Sequence, residues 1–295
     1  MALNLHLLRI FTIVAEQGSF SRAARSAHIS QPAVTKGIQE LEKQVGLPLL
    51  ERGARGVRLT EAGETLLEHA KVIFAAENTA EEELRHFRGL SGGKLSIGAS
   101  LTIANYYLPP IVARFHELYP QLELSLSSYN TENIVRLLLD YKLDIALVEG
   151  PVHNERITIK HWREDELAVV AAANHPLAKR ENLTAADLND AIWVVREHGS
   201  GTREVVDEAL NERNLQPRDT LEINSTAAIK QTVASGLGLA MVSLHSAADQ
   251  ITIGKLRVLP IPDLVVKRPL TWLSLKNRPL SIAARTFEKF LFEAV

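Results

Sequence analysis

Three turns rich in serine, threonine and glycine carry the residue types that hold a small anion. Ser100 and Thr102 lie between an alternating apolar run and a helical one, Gly199-Ser200-Gly201-Thr202 precedes a second helical stretch with Arg203 beside it, and Asn224-Ser225-Thr226 precedes a third. At such turns hydroxyls and the first free amides of a helix point the same way, which seats an oxyanion or carboxylate. Each turn alone is equally an ordinary helix cap, and Thr202 is the candidate cap of its helix; only the three together point to a ligand. A second group has the types that read nucleic acid. Gln31 can pair with an adenine edge, Pro32 and the methyl of Thr35 can meet a thymine methyl, and Lys36 can reach a phosphate or a guanine. Arg52, Arg55 and Arg58, interleaved with Gly53 and Gly56, fit a short two-stranded ribbon. Arg55 near its tip can enter a narrow minor groove while Arg52 and Arg58 meet phosphates.

Apolar periodicity supplies the elements that would position these groups. Leu5, Leu8, Phe11, Ile13 and Val14 place a helix over about residues 3–16, which Gly18 stops. Ser19 or Ser21 caps a second helix whose thin face is Ala23, Ala24 and Ala27. Ser30 caps a third, over 30–45, that tolerates Pro32 in its first turn and keeps Val34, Ile38, Leu41 and Val45 on one side. The opposite edge presents Gln31, Pro32, Thr35 and Lys36, as entry into a major groove requires. From Thr60 a long helix runs toward Gly89. Its stripe of Leu66, Ala70, Ile73, Ala80, Leu84 and Phe87, broken at Glu77, predicts cover by a second copy of the chain.

Past Gly92-Gly93 strands and helices alternate. Strands are expected at 94–99, 122–127 and 144–148, with helices from Ile103, bent around Pro109-Pro110, and over 132–141. A second unit offers strands at 167–172, 191–195, 221–224 and 239–242 and helices at 203–213 and 226–234, before a strand at 270–275 and a helix at 282–292 return to the first. The predicted layout is a module over 1–60, a linker helix over 61–90, one α/β lobe from 91–162 plus 268–295, and another from 163–267. The candidate ligand turns then face a cleft between lobes, where Tyr106, Tyr107, Tyr129 and Glu149 are further lining candidates.

Charge separates the two ends. Residues 1–60 hold eight Lys or Arg and four acidic residues, whereas the remainder holds 25 basic and 31 acidic ones, so only the amino-terminal end suits a polyanion. With no cysteine there is neither a disulfide nor a thiolate metal site. No run approaches eighteen apolar residues and the amino terminus lacks an export signal, so no membrane is involved and a cytoplasmic location is expected. An enzyme is the competing class, yet the ten histidines form no H-E-x-x-H, and P-loop, G-x-S-x-G and G-x-G-x-x-G patterns are missing. His198, beside Gly199 and Ser200, is the sharpest catalytic-looking residue but has no acid partner in sequence; His116-Glu117 reads as helix surface. No catalytic residue, metal or cofactor is expected.

The amino-terminal segment closely resembles LysR-type transcriptional regulators through Gly18-Ser19-Phe20, Ala23-Ala24, Ser30-Gln31-Pro32-Ala33, Ile38-Gln39-Glu40-Leu41-Glu42, Leu49-Leu50-Glu51-Arg52 and Leu59-Thr60-Glu61-Ala62-Gly63, and the likeness extends over the full length. The resemblance implies an N-terminal winged helix-turn-helix, a long dimerising linker helix and a two-lobed α/β effector domain like periplasmic solute-binding proteins. It also implies a homodimer or homotetramer on inverted-repeat double-stranded DNA, with RNA polymerase as partner at target promoters. Ser100 and Thr102 match the family's first effector turn, Thr226 and Gly236-Leu237-Gly238 match the turn and strand entry of the second lobe, and Arg196 to Arg203 is similar to the R-E-x-G-S-G-T-R segment of members answering to inorganic anions or carboxylated metabolites. An aromatic or neutral effector is the alternative.

Overall fold

The Asn4 side-chain oxygen accepts from the amides of His6 and Leu7 and so starts α1 (Leu5–Gln17), which ends at Gly18 in the left-handed conformation. The computed structural model describes residues 2–53, 56–87 and 92–293. It comprises two units, Met1–Glu81 and Glu82–Val295.

In the first unit Ser19 caps α2 (Phe20–Ser26) and Ser30 caps α3 (Gln31–Val45) through its hydroxyl and the Ala33 amide at 3.3 Å. α1 and α3 cross closely because Gly37 has no side chain; a Cβ there would lie 3.1 Å from Ile10 Cδ1. Leu8, Phe11, Val14, Ala23, Val34, Ile38 and Leu41 form the core. β1 (Leu50–Gly53) and β2 (Gly56–Leu59) pair antiparallel, and the Val57 amide donates to the Gly18 carbonyl at 3.1 Å, tying this ribbon to the turn after α1. The Thr60 hydroxyl accepts from the Gly63 amide and opens α4 (Glu61–Phe87). Its stripe is divided. Ala70 is buried in the chain's own core with Leu66 and Ile73 packed beside it, whereas Ala80 and Leu84 are exposed. Phe74, outside the predicted stripe, is buried with Ala70 and carries Arg9 over its ring; Arg9 also pairs with Glu77, the residue that interrupts the repeat. The Phe87 side chain lies outside the description.

In the second unit β3 (Gly93–Ser100) leads through a π-helical turn, Ile103–Tyr107, into α5 (Leu108–Leu118). The expected bend at Pro109-Pro110 is instead a new first turn, where proline forfeits no intrahelical bond. β4 (Leu122–Tyr129), α6 (Thr131–Leu139) and β5 (Ile145–Glu149) complete a parallel trio, β4-β3-β5. β6 (Ile157–Ala172) crosses to the second lobe, whose members are β7 (Ile192–Val195), α7 (Gly201–Glu212), β8 (Asp219–Glu222), α8 (Thr226–Ala234), β9 (Leu239–Ser243), α9 (Leu244–Thr252) and β10 (Leu256–Val258). β11 (Val266–Leu275) crosses back to α10 (Ile282–Glu293). The strand order is β4-β3-β5-β11-β6-β9-β7-β8, with β10 also on β6. Both predicted crossovers are therefore single long antiparallel strands, and each lobe is a parallel sheet with helices on both faces. Alternation decides the faces: Ile145 and Leu147 of β5 enter one core with Phe115 and Phe287, while Ala146 and Val148 enter another with Ile134 and Leu138. The first half of β6, α9 and β10 have no counterpart in the sequence reading.

Candidate DNA-binding and effector sites

α3 buries Val34, Gly37, Ile38 and Leu41 and turns Gln31, Pro32 and Lys36 to solvent. Thr35 is half-buried and its hydroxyl donates to the Gln31 carbonyl at 3.1 Å, so that proton is spent and the methyl is the group left for recognition. Lys36 lies 3.7 Å from Glu40, both well exposed; such a pair is worth about 0.3–0.5 kcal/mol and yields readily to a phosphate. Arg58 is exposed and faces Glu51 across the ribbon, while Arg52 lies in β1 opposite Val57. Arg55 lies outside the described residues.

The effector-turn candidates fall into two places. Thr102, Thr202 and Thr226 come together with Arg196, Ser243, Val194, Val195, Ile229 and Met241 around a cavity between the lobes. The cavity is small, about 10 Å³, with room for a single water. The Thr102 hydroxyl makes no hydrogen bond among the described residues, and Thr226 accepts from Arg196 at 3.2 Å, which leaves its proton free to donate. Ser100 is buried and does not line this cavity. His198, Gly199 and Ser200 line instead a groove of about 990 Å³ between α6 and α7, rimmed by Glu132, Glu204, Asp207 and Glu208. That groove is larger, but carboxylates dominate its lining, whereas the cavity's own lining holds Arg196 and Arg203 and no carboxylate; the cavity is therefore the better seat for an anion.

Close approach explains the glycines. Gly201 packs its backbone on the end of β5, where a Cβ would fall 1.9 Å from the Glu149 carbonyl oxygen, and its amide donates to the Thr131 hydroxyl at 3.2 Å. Gly199 has φ +81°, and its carbonyl accepts from the Glu132 amide at 3.0 Å. Thr202 does not cap α7. Ser200 holds the cap position without making the capping bond, its hydroxyl buried and unpartnered among the described residues, and the Thr202 hydroxyl is directed at Glu149.

A buried polar network, largely unforeseen, runs from this contact across the lobes. Glu149, 1% exposed, accepts from the Ser100 hydroxyl and from the Thr202 hydroxyl at 3.1 Å. Arg268 donates to Thr202 at 2.9 Å and twice to Asp165 Oδ2, at 2.9 and 2.7 Å. Asp165 Oδ1 accepts from Tyr107 of the first lobe and Ser243 of the second, each at 2.7 Å. Asp165 and Arg268 face each other in direct register on β6 and β11, so one carboxylate joins both crossovers and both lobes. Burial, then the hydrogen bond and charge of Asp165, push the Tyr107 phenol well above its ordinary value. Arg196 donates to both oxygens of Glu197 at 2.8 and 2.9 Å. Burial is the largest influence on Glu197 and pushes it up, but Arg196 together with backbone and Asn130 hydrogen bonds outweighs it and holds the carboxyl low. Arg203 is spent on Asp207 and the Arg196 carbonyl. Of the lining candidates, Tyr107 and Glu149 belong to the network; Tyr106 lies 4.3 Å beneath Lys230, and Tyr129 is exposed.

A winged helix-turn-helix followed by a two-lobed α/β unit with a polar cleft defines a ligand-responsive DNA-binding regulator. Residues 5–64 match the bacterial regulatory helix-turn-helix protein, lysR family, and residues 88–295 match the LysR substrate binding domain. The chain belongs to the LysR-type transcriptional regulators, as its motifs implied. It is 34% identical to the HTH-type transcriptional activator CmpR of a Synechocystis species, over 98% of this chain and 95% of that protein. Its identity to the regulator CysL of Bacillus subtilis is also 34%, over 97% and 94%. The regulatory domain of Synechocystis CcmR, solved in complex with 2-PG, superposes with a TM-score of 0.65 at 30% identity, covering 69% of this chain and 97% of that one. Among the described residues no helix is long and apolar enough to cross a membrane.

Proposed function

We propose that this regulator binds an inverted-repeat promoter site as a homodimer or homotetramer and is switched by a small anionic effector, an oxyanion or carboxylate, in the inter-lobe cleft. The working division is a DNA module over 1–60, a dimerising linker over 61–90, and lobes from 91–162 plus 268–295 and from 163–267. Gln31, Pro32, Thr35 and Lys36 read bases, Arg55 enters the minor groove, and Arg52 and Arg58 hold phosphates. The protein acts in the cytoplasm with RNA polymerase at its promoters. The observation that carries the effector reading is the convergence of Thr102, Thr202 and Thr226, from three turns and both lobes, on one cavity beside Arg196. Ser100, Gly199, Ser200 and Gly201 complete the seat once the lobes part. The 2-PG complex of CcmR, a relative with the same fold, supports a small-molecule effector. A ligand switches the regulator only by binding one lobe arrangement better than the other.

The DNA assignment is tested by salt-dependent retention of the protein's own upstream DNA. Gln31→Ala relaxes base preference, whereas Arg58→Ala weakens binding to all sequences and lowers the salt slope by about 1. Absence of sequence-selective retention overturns it. The effector assignment is tested by thermal shift with oxyanions and small carboxylates against Thr102→Ala. The apolar walls of Val194, Ile229 and Met241 favour the second reading, an aromatic or neutral effector. That reading replaces the first if an aromatic compound binds while every oxyanion fails.

A further inference from the structure

The hydroxyls expected to greet an anion in this cleft are already committed to one that the chain itself provides. A hydroxyl has a single proton to donate. Ser100 gives its proton to Glu149, and Thr202 gives its own to the other oxygen of the same carboxylate while accepting from Arg268. An incoming oxyanion can draw either proton only by taking it from Glu149, which would leave one oxygen of a carboxylate, 1% exposed, without its donor and beside a second negative charge.

The neighbouring cations do not relieve this. Arg268 is neutralised by Asp165, and Arg196 across the cavity is neutralised by Glu197. Over Glu149, Asp165, Glu197, Arg196 and Arg268 the formal charges leave one negative charge in excess, and Lys230, the buried cation one turn beyond Thr226, is directed at the Ser246 carbonyl and the Tyr106 ring. Glu149 is held at both ends: its main-chain carbonyl accepts from Thr131 at 3.0 Å, and its carboxylate, 1% exposed, accepts from Ser100 on one oxygen and Thr202 on the other. Such a site favours a ligand that returns a hydrogen bond to the carboxylate, and so a ligand bearing an O–H of its own.

Resting on the proposed anionic effector, we infer that Glu149 sets the cleft's specificity by admitting oxyanions that carry a proton or hydroxyl and excluding those that carry none. The effector's charged oxygens take the free donors, Thr102, Thr226 and the remaining N–H groups of Arg196. Its O–H donates to Glu149 in place of whichever hydroxyl it displaces. Hydrogenphosphate fits this description and sulfate, of similar size and charge, does not.

The test uses the full chain and three matched pairs of probes: inorganic phosphate and sulfate, hydrogencarbonate and nitrate, glycolate and acetate. Affinities are measured by calorimetry at pH 7.5 and constant ionic strength. The expected result is at least tenfold tighter binding of the O–H member in one or more pairs, and a ratio within about threefold of unity for Glu149→Gln, whose amide donates instead of repelling. Wild-type protein that binds both members of every binding pair equally overturns the inference, as does Glu149→Gln that keeps the wild-type ratio. Should Glu149→Gln fail to fold, judged by circular dichroism, the wild-type ratios alone decide. Failure of all six probes overturns the anionic reading beneath the inference, whereas binding without discrimination overturns only the role of Glu149.

Discussion

Asp165→Asn isolates the junction of the two crossover strands. The substitution is almost isosteric and keeps an oxygen to accept from Tyr107 and Ser243, but it removes the charge facing Arg268 and turns an N–H₂ toward the guanidinium. Arg268 is 2% exposed, so its charge cannot find water without opening the lobes. Removing one partner of a buried pair costs about 3–5 kcal/mol. For a unit the size of residues 82–295 each kcal/mol lowers Tm by roughly 2–4 °C, giving a fall of roughly 6–20 °C. The readout is urea and thermal unfolding followed by tryptophan fluorescence. All three tryptophans, Trp162, Trp193 and Trp272, are buried in this unit, so the amino-terminal module is silent. Arg268→Met should cost a similar amount, and the double variant less than the two single losses combined, because no unpaired charge remains buried. A loss below about 1 kcal/mol for Asp165→Asn, or strict additivity in the double variant, would refute the reasoning.

Gly201→Ala should separate the lobes where α7 meets β5. Its Cβ would lie 1.9 Å from the Glu149 carbonyl oxygen and 2.8 Å from the Thr131 hydroxyl, and backbone cannot turn aside; overpacking of this kind costs about 1–3 kcal/mol. Small-angle scattering should report a more open effector unit, and an unchanged profile with unchanged Tm would contradict the packing. Tyr107 predicts alkaline sensitivity. A phenol whose folded pKa is raised contributes its full stability below the unfolded pKa near 10 and loses it as pH rises toward the folded value. Unfolding free energy should fall by about 1.4 kcal/mol per pH unit between about pH 10 and pH 12. Tyr107→Phe should remove that slope; an identical slope in both proteins would exclude Tyr107 as its source.

The sequence by itself determined the elements whose signals are local. Ser19, Ser30 and Thr60 cap helices because a short hydroxyl answers an amide three residues on, and α8 begins at Thr226 after the Ser225 cap for the same reason. The polar edge of α3 was legible because its opposite, buried edge repeats at helical spacing. The linker stripe was legible as a stripe, yet only the fold divided it, by laying Ala70 and Phe74 on the chain's own core. The first half of β6 went unread because Lys160, His161, Arg163 and Glu164 interrupt its apolar alternation and its partner strand begins only at Val266. The cleft shows the same division. Thr102, Thr202 and Thr226 announced themselves by their turns, and Glu149 was a candidate by position. That Glu149 claims the hydroxyls of Ser100 and Thr202, and that Asp165 binds Arg268, Tyr107 and Ser243 at once, was decided by tertiary structure alone. Side chains that meet across 49 to 103 residues leave no local periodicity, because register between distant strands is set by which faces can be buried together.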